Sequence, residues 1–96
     1  MPHGSPLQLL LFVRANAARS VDAIRSVRKA CDADVTRAKS LHVVDVFREP
    51  ELAMKYRVIA TPTLLSLDGK SELRLVGDVS EGRVRDYFVA EAAYGV

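Results

Sequence analysis

The sequence predicts a small α/β protein: a four-stranded mixed sheet flanked by helices, in the order β-α-β-α-β-β-α. Three observations carry this. Short apolar runs of strand length alternate with stretches of helical periodicity in the first half. A strand, a helix and a second strand at this spacing imply a right-handed parallel crossover. Asp68-Gly69, between two further apolar runs, is a hairpin signal that adds an antiparallel pair.

The first strand is Leu7–Val13, short, continuous and apolar, as a strand buried on both faces should be. Arg14–Arg19 reads as a loop. Ser20 is placed to cap a helix running to about Asp32. Along it Val21, Ile24, Val27 and Cys31 recur at helical spacing, while Arg25, Arg28 and Lys29 point outward. Ala33–Lys39 connects to a Val-rich second strand, Leu41–Phe47. Pro50 opens a short helix at the position where its missing N–H costs nothing, and Leu52, Ala53 and Tyr56 belong to it. Thr63–Leu67 and Glu72–Val76 are the third and fourth strands. Ser80 caps a last helix with Val84, Tyr87, Phe88 and Ala92 on one stripe.

The 96 residues suit one domain, residues 7–96, behind a flexible tail, residues 1–6. A net charge of +2, with acidic and basic residues interleaved, leaves no footprint for nucleic acid. Leu7–Val13 is too short to span a membrane and lacks the flanks of a signal peptide. A single cysteine, Cys31, excludes an internal disulfide and fits a reducing, cytoplasmic setting.

Catalysis has no visible carrier in these residues. There is no phosphate-binding glycine loop and no nucleophile–base grouping. His3 and His42 lack metal-ligand spacing, and no cofactor is expected. Cys31 reads as a small core residue near a helix C-terminus, where the dipole disfavours a thiolate. Asp45, in an apolar strand, is either a satisfied strand-end residue or an interaction residue. Arg14, Arg19, Arg25, Arg28, Lys29 and Arg57 form either a solvated face or a surface for an acidic partner, since guanidinium forks pair well with carboxylates.

Taken in order, several segments resemble the KaiB family of circadian-clock proteins. They are Leu11-Phe12-Val13-Arg14-Ala15-Asn16, Arg19-Ser20-Val21-Asp22-Ala23-Ile24, Val44-Asp45-Val46, Glu49-Pro50-Glu51-Leu52-Ala53, Ile59-Ala60-Thr61-Pro62-Thr63-Leu64 and Gly77-Asp78-Val79-Ser80. The C-terminal half, with Asp68-Gly69 and Val76-Gly77 through Ser80-Glu81-Gly82, is also similar to thioredoxins. The resemblance implies a thioredoxin-like fold with a cis Thr61–Pro62 bond. It implies a non-enzymatic interaction module whose partner is a KaiC-like ring ATPase or a related sensor kinase, met through Arg14, Arg19, Arg25, Arg28 and Arg57. It also implies a second, tetrameric fold, expected here to be minor beside a thioredoxin-like monomer, because the hairpin signal and the capped last helix favour the latter. Members of the well-known type carry prolines where this chain has Leu67–Ser71, and often an acidic tail that it lacks. Ala17 and Ser20 stand where thioredoxins carry their redox cysteines. The competing readings are a redox-inactive thioredoxin-like domain with an unrelated partner, and a thiol- or glutathione-dependent enzyme using Cys31 or the Thr61-Pro62 turn.

Overall fold

A computed structural model describes residues 6–67 and 73–94. The tail (except Pro6), the Asp68-Gly69 turn and the first residue of the expected fourth strand lie outside the described residues. The elements run β1 (Leu7–Val13), α1 (Ala18–Ala33), β2 (Lys39–Asp45), α2 (Pro50–Lys55), β3 (Thr63–Ser66), β4 (Arg74–Val76) and α3 (Glu81–Tyr94). The sheet order is β2-β1-β3-β4. β2 is parallel to β1, and the other two pairings are antiparallel.

β1 lies inside the sheet between β2 and β3, and its side chains alternate between two cores. Leu7, Leu9, Leu11 and Val13 meet Ala23, Val27 and Ala30 of α1 and Val84, Tyr87 and Phe88 of α3. Leu10 and Phe12 face the other way, onto Val44, Leu65 and Ala53 of α2. The Phe12 ring lies tilted 6.2 Å from that of Tyr56.

Four boundaries or faces differ from the sequence expectation. The expected second strand, Leu41–Phe47, shifts two residues toward the N-terminus. Its partner fixes the register from Leu7↔Lys39 to Val13↔Asp45, so pairing stops where β1 stops. Asp45 then turns the chain, its carboxylate accepting the Phe47 N–H at 2.9 Å. The first helix starts at Ala18, earlier than a cap at Ser20 allows. Asn16 takes a left-handed φ of 70°, which short amide side chains tolerate, and Ala17 becomes the N-cap without a side-chain cap. The Ser20 hydroxyl, inside the first turn, instead accepts the Arg14 N–H at 3.0 Å. The buried face of α1 is Ser20, Ala23, Val27 and Ala30, which leaves Val21 exposed. On α3 the buried stripe is Val84, Tyr87, Phe88 and Glu91, and Ala92 is exposed.

Asp34 terminates α1 and organises the connection to β2. One oxygen accepts both the N–H and the hydroxyl of Thr36. The other lies 3.2 Å from Nζ of Lys39, whose side chain is only 3% exposed. That ammonium also donates to the Asp34 and Arg37 carbonyls and sits 4.9 Å from the Phe88 ring centroid. One buried cation thus ties the end of α1 to α3.

The hydrogen bonds from Thr36, with help from Lys39, hold the Asp34 carboxyl below its usual range. The folded state therefore binds that proton less readily than the unfolded chain. The stabilisation is complete above the unfolded value of about 4 and fades as the pH falls through the lower folded value. Asp34→Asn should cost about 1–2 kcal/mol at neutral pH. Chemical denaturation should show the gap between variant and parent closing in acid; a gap that persists unchanged would assign the loss to something other than this charge.

Candidate interaction site

The candidate surface grows from the end of the sheet where β1, β2 and β4 finish and β3 begins. Four connections meet there: 14–17, 46–49, 59–62 and 77–80. The Thr61–Pro62 bond is cis, and across that turn the Thr63 hydroxyl donates to the Ala60 carbonyl at 2.7 Å. Gly77 has a φ of 86°, a region few side chains adopt, and its N–H reaches the Pro62 carbonyl at 2.9 Å. Between these turns and α1 lies a groove of about 440 Å³ lined in part by Arg19, Asp22, Pro62, Asp78 and Ser80.

The five arginines do not form one patch. Arg14 and Arg19 flank the loop before α1. The Arg14 guanidinium stacks 5.3 Å from the ring centroid of Phe47, and that ring remains 68% exposed. Arg25 and Arg28 point to solvent from the outer face of α1, with Asp22 only a distant 3.8 Å neighbour of Arg25. Arg57 lies across the sheet, at the end of α2. It occupies a left-handed φ of 54°. The N–H groups of Arg57 and Val58 close the helix end by donating to Met54 and Ala53, the pairing of a Schellman cap. Arg74 completes the cap by donating to the Tyr56 carbonyl at 3.0 Å.

Reasoning from the sequence missed three exposed apolar side chains. Phe47, Met54 and Ile59 are exposed at 68%, 78% and 95%. The expected second strand, Leu41–Phe47, ends on Phe47 and so hides it. The signal that could have freed it is Asp45, a residue strands disfavour and turns accept. Asp45 itself proves to be a satisfied strand-end group.

Cys31 is half-buried near the C-terminal end of α1. Burial pushes its thiol up, against the opposing pull of Lys39. A protonated thiol is a poor nucleophile. His42 is exposed on β2, and among the described residues no three His, Cys, Asp or Glu side chains come together to hold a metal ion. No helix among those residues is long and apolar enough to cross a membrane.

A four-stranded mixed sheet, a proline turn facing the start of α1, and Ala17 and Ser20 in place of a thiol pair define a thioredoxin-like domain without the redox centre. Thioredoxin z from chloroplasts superposes with a TM-score of 0.76 at 19% identity, over 92% of this chain and 80% of that one. The N-terminal domain of Synechococcus elongatus SasA gives 0.75 at 28% identity, over 88% and 80%. The KaiB domain model matches residues 10–89. The circadian clock oscillator protein KaiB of Synechococcus sp. (strain RCC307) is 32% identical over 73 residues, or 76% of this chain. The match spans 66% of that relative, slightly under two thirds of its length. The chain belongs to the KaiB family.

Two outcomes follow from this geometry. A left-handed arginine costs roughly 1–2 kcal/mol, and the extra freedom of glycine in the unfolded chain offsets about half of that. Arg57→Gly should therefore raise the unfolding free energy by about 0.5–1 kcal/mol; a loss in denaturant titration would mean that the arginine side chain supports the fold. Insulin-disulfide reduction should run at the uncatalysed rate, with Cys31→Ser indistinguishable from the parent. Turnover abolished by that substitution would reinstate thiol chemistry.

Proposed function

We propose that this protein is a non-catalytic interaction module in a circadian-clock or related signalling assembly, acting mainly as a cytoplasmic monomer. Its partner is a KaiC-like ring ATPase or a related sensor kinase. The observation that carries the reading is the exposed Arg14–Phe47 stack at the sheet end where the Pro62 turn also lies. An aromatic ring under a guanidinium supplies apolar area and a forked donor together, the chemistry that dominates interface energies. The partner face should pair an apolar pocket for Phe47 with carboxylates for the arginines. Family membership supports the clock setting. The absence of a cysteine pair from the positions of Ala17 and Ser20 supports a binding role rather than a redox one.

Arg25 and Arg28 extend this surface along α1 and set encounter and orientation rather than the tightest contacts, because exposed charges are screened over about 8–10 Å in physiological salt. A redox-inactive thioredoxin-like domain with an unrelated partner is the second reading. The mixed-polarity groove beside Pro62 favours it, since an extended peptide could lie there without touching Phe47.

Titration of the full chain against a KaiC-like ATPase from the same organism tests both readings. Phe47→Ala should weaken binding by at least about tenfold. The double reversal Arg25→Glu and Arg28→Glu should weaken it in low salt and matter less as salt is raised. No binding by the parent chain would reject the clock reading. Binding unaffected by all three substitutions would leave those side chains as a solvated face.

A further inference from the structure

Glu91 is the most deeply buried ionisable carboxylate among the described residues, at 1% exposure. It faces the sheet in the stripe that Val84, Tyr87 and Phe88 begin. One carboxylate oxygen, Oε1, accepts the Ser66 hydroxyl of β3 at 3.1 Å. The other, Oε2, is shut off from solvent and has no hydrogen-bond partner among the described residues. The Tyr87 hydroxyl, one turn earlier, lies beside the carboxylate but donates to the Leu73 carbonyl at 2.9 Å. Burial and then the neighbouring Glu91 charge push the Tyr87 phenol well above its usual range.

α3 is therefore held unevenly. Its first turns are seated by Val84, by the two aromatic rings, and by the buried Lys39 ammonium against Phe88. Its following turn seats a carboxylate whose Oε2 has no partner among the described residues. A buried, unpaired acceptor is penalised in the folded state, and an apolar side chain of similar volume commonly restores that loss. Lifting this part of the helix from the sheet would open Oε2 to water.

We propose that Glu91 makes the C-terminal half of α3 a detachable element. This half lifts locally from Ser66 and hydrates the carboxylate, while β1 and α1 stay folded. Lifting uncovers Ser66 and the end of β3 beneath Glu91. The device is independent of the arginine surface and would operate whatever the partner is.

Native-state hydrogen exchange on the full chain tests it. In the parent, the amides of Val89–Ala92 should exchange at least about a hundredfold faster than those of Leu9–Phe12, through a local opening of the helix beyond Phe88. Glu91→Met should slow Val89–Ala92 at least about tenfold and slow β1 by less. Glu91→Gln, which keeps an acceptor for Ser66 but removes the charge, should fall between. Parental α3 amides exchanging only as slowly as β1, through global unfolding, would overturn the proposal. So would α3 exchange in Glu91→Met as fast as in the parent or faster. Should the methionine variant fail to fold, the parental ratio and the glutamine variant still decide.

Discussion

The structure depends on β1 being apolar on both faces. Leu9 and Leu11 are buried toward α1 and α3, and Leu10 and Phe12 toward α2, all at 4% exposure or less. A strand of this kind has to sit inside the sheet, because an edge position would leave one row of backbone groups unpaired. It therefore takes β2 on one side and β3 on the other. The helices follow from the same constraint: each face of β1 needs a cover, and the two crossovers supply them. Emptying one such position, for instance by truncating Phe12, would cost about 3–5 kcal/mol, a large part of the stability of a domain this size.

With β1 fixed, the sheet end is fixed too. β2 must stop at Asp45 because β1 stops at Val13, and the chain beyond it is pushed into solvent with Phe47. The loop before α1 is shaped by Asn16 in a left-handed turn and by Ser20 reaching back to Arg14. Arg14 is delivered to Phe47 by that closure. Arg57 is left-handed where glycine is the ordinary choice, a local strain held by the Schellman cap at the end of α2. The functional reading rests on these placements and not on the number of arginines, since exposed single charges contribute little by themselves.

The two buried charges near α3 have opposite characters. The Lys39 ammonium has a carboxylate, two carbonyls and an aromatic face around it. Glu91 has the Ser66 hydroxyl on Oε1 and, among the described residues, no partner on Oε2. A buried charge with its partners supplied fixes a geometry, whereas one left short weakens the element that carries it. The helix thus combines a firm attachment near Phe88 with a weak one a single turn later.

How much of this the sequence carried depends on the range of the interaction. The order of elements, the buried character of Leu7–Val13, the start of α2 at Pro50 and the lack of a thiol pair were all legible in residues 7–94, because periodicity, proline and cysteine act locally or by their plain presence. The KaiB resemblance was legible for the same reason, as ordered short segments. The strand ends were not, because register belongs to a pair of strands and Asp45 could not be read as a terminator without Val13 opposite. Neither was the face of a helix: Val21 and Ala92 match the helical period, yet Ala30 and Glu91 are the residues that face inward. Periodicity says that a helix has a buried stripe, but the direction in which it packs against the sheet decides which residues lie in it. The partnering of Glu91 was settled only there, since no local rule places a carboxylate beneath a helix against the Ser66 hydroxyl of β3.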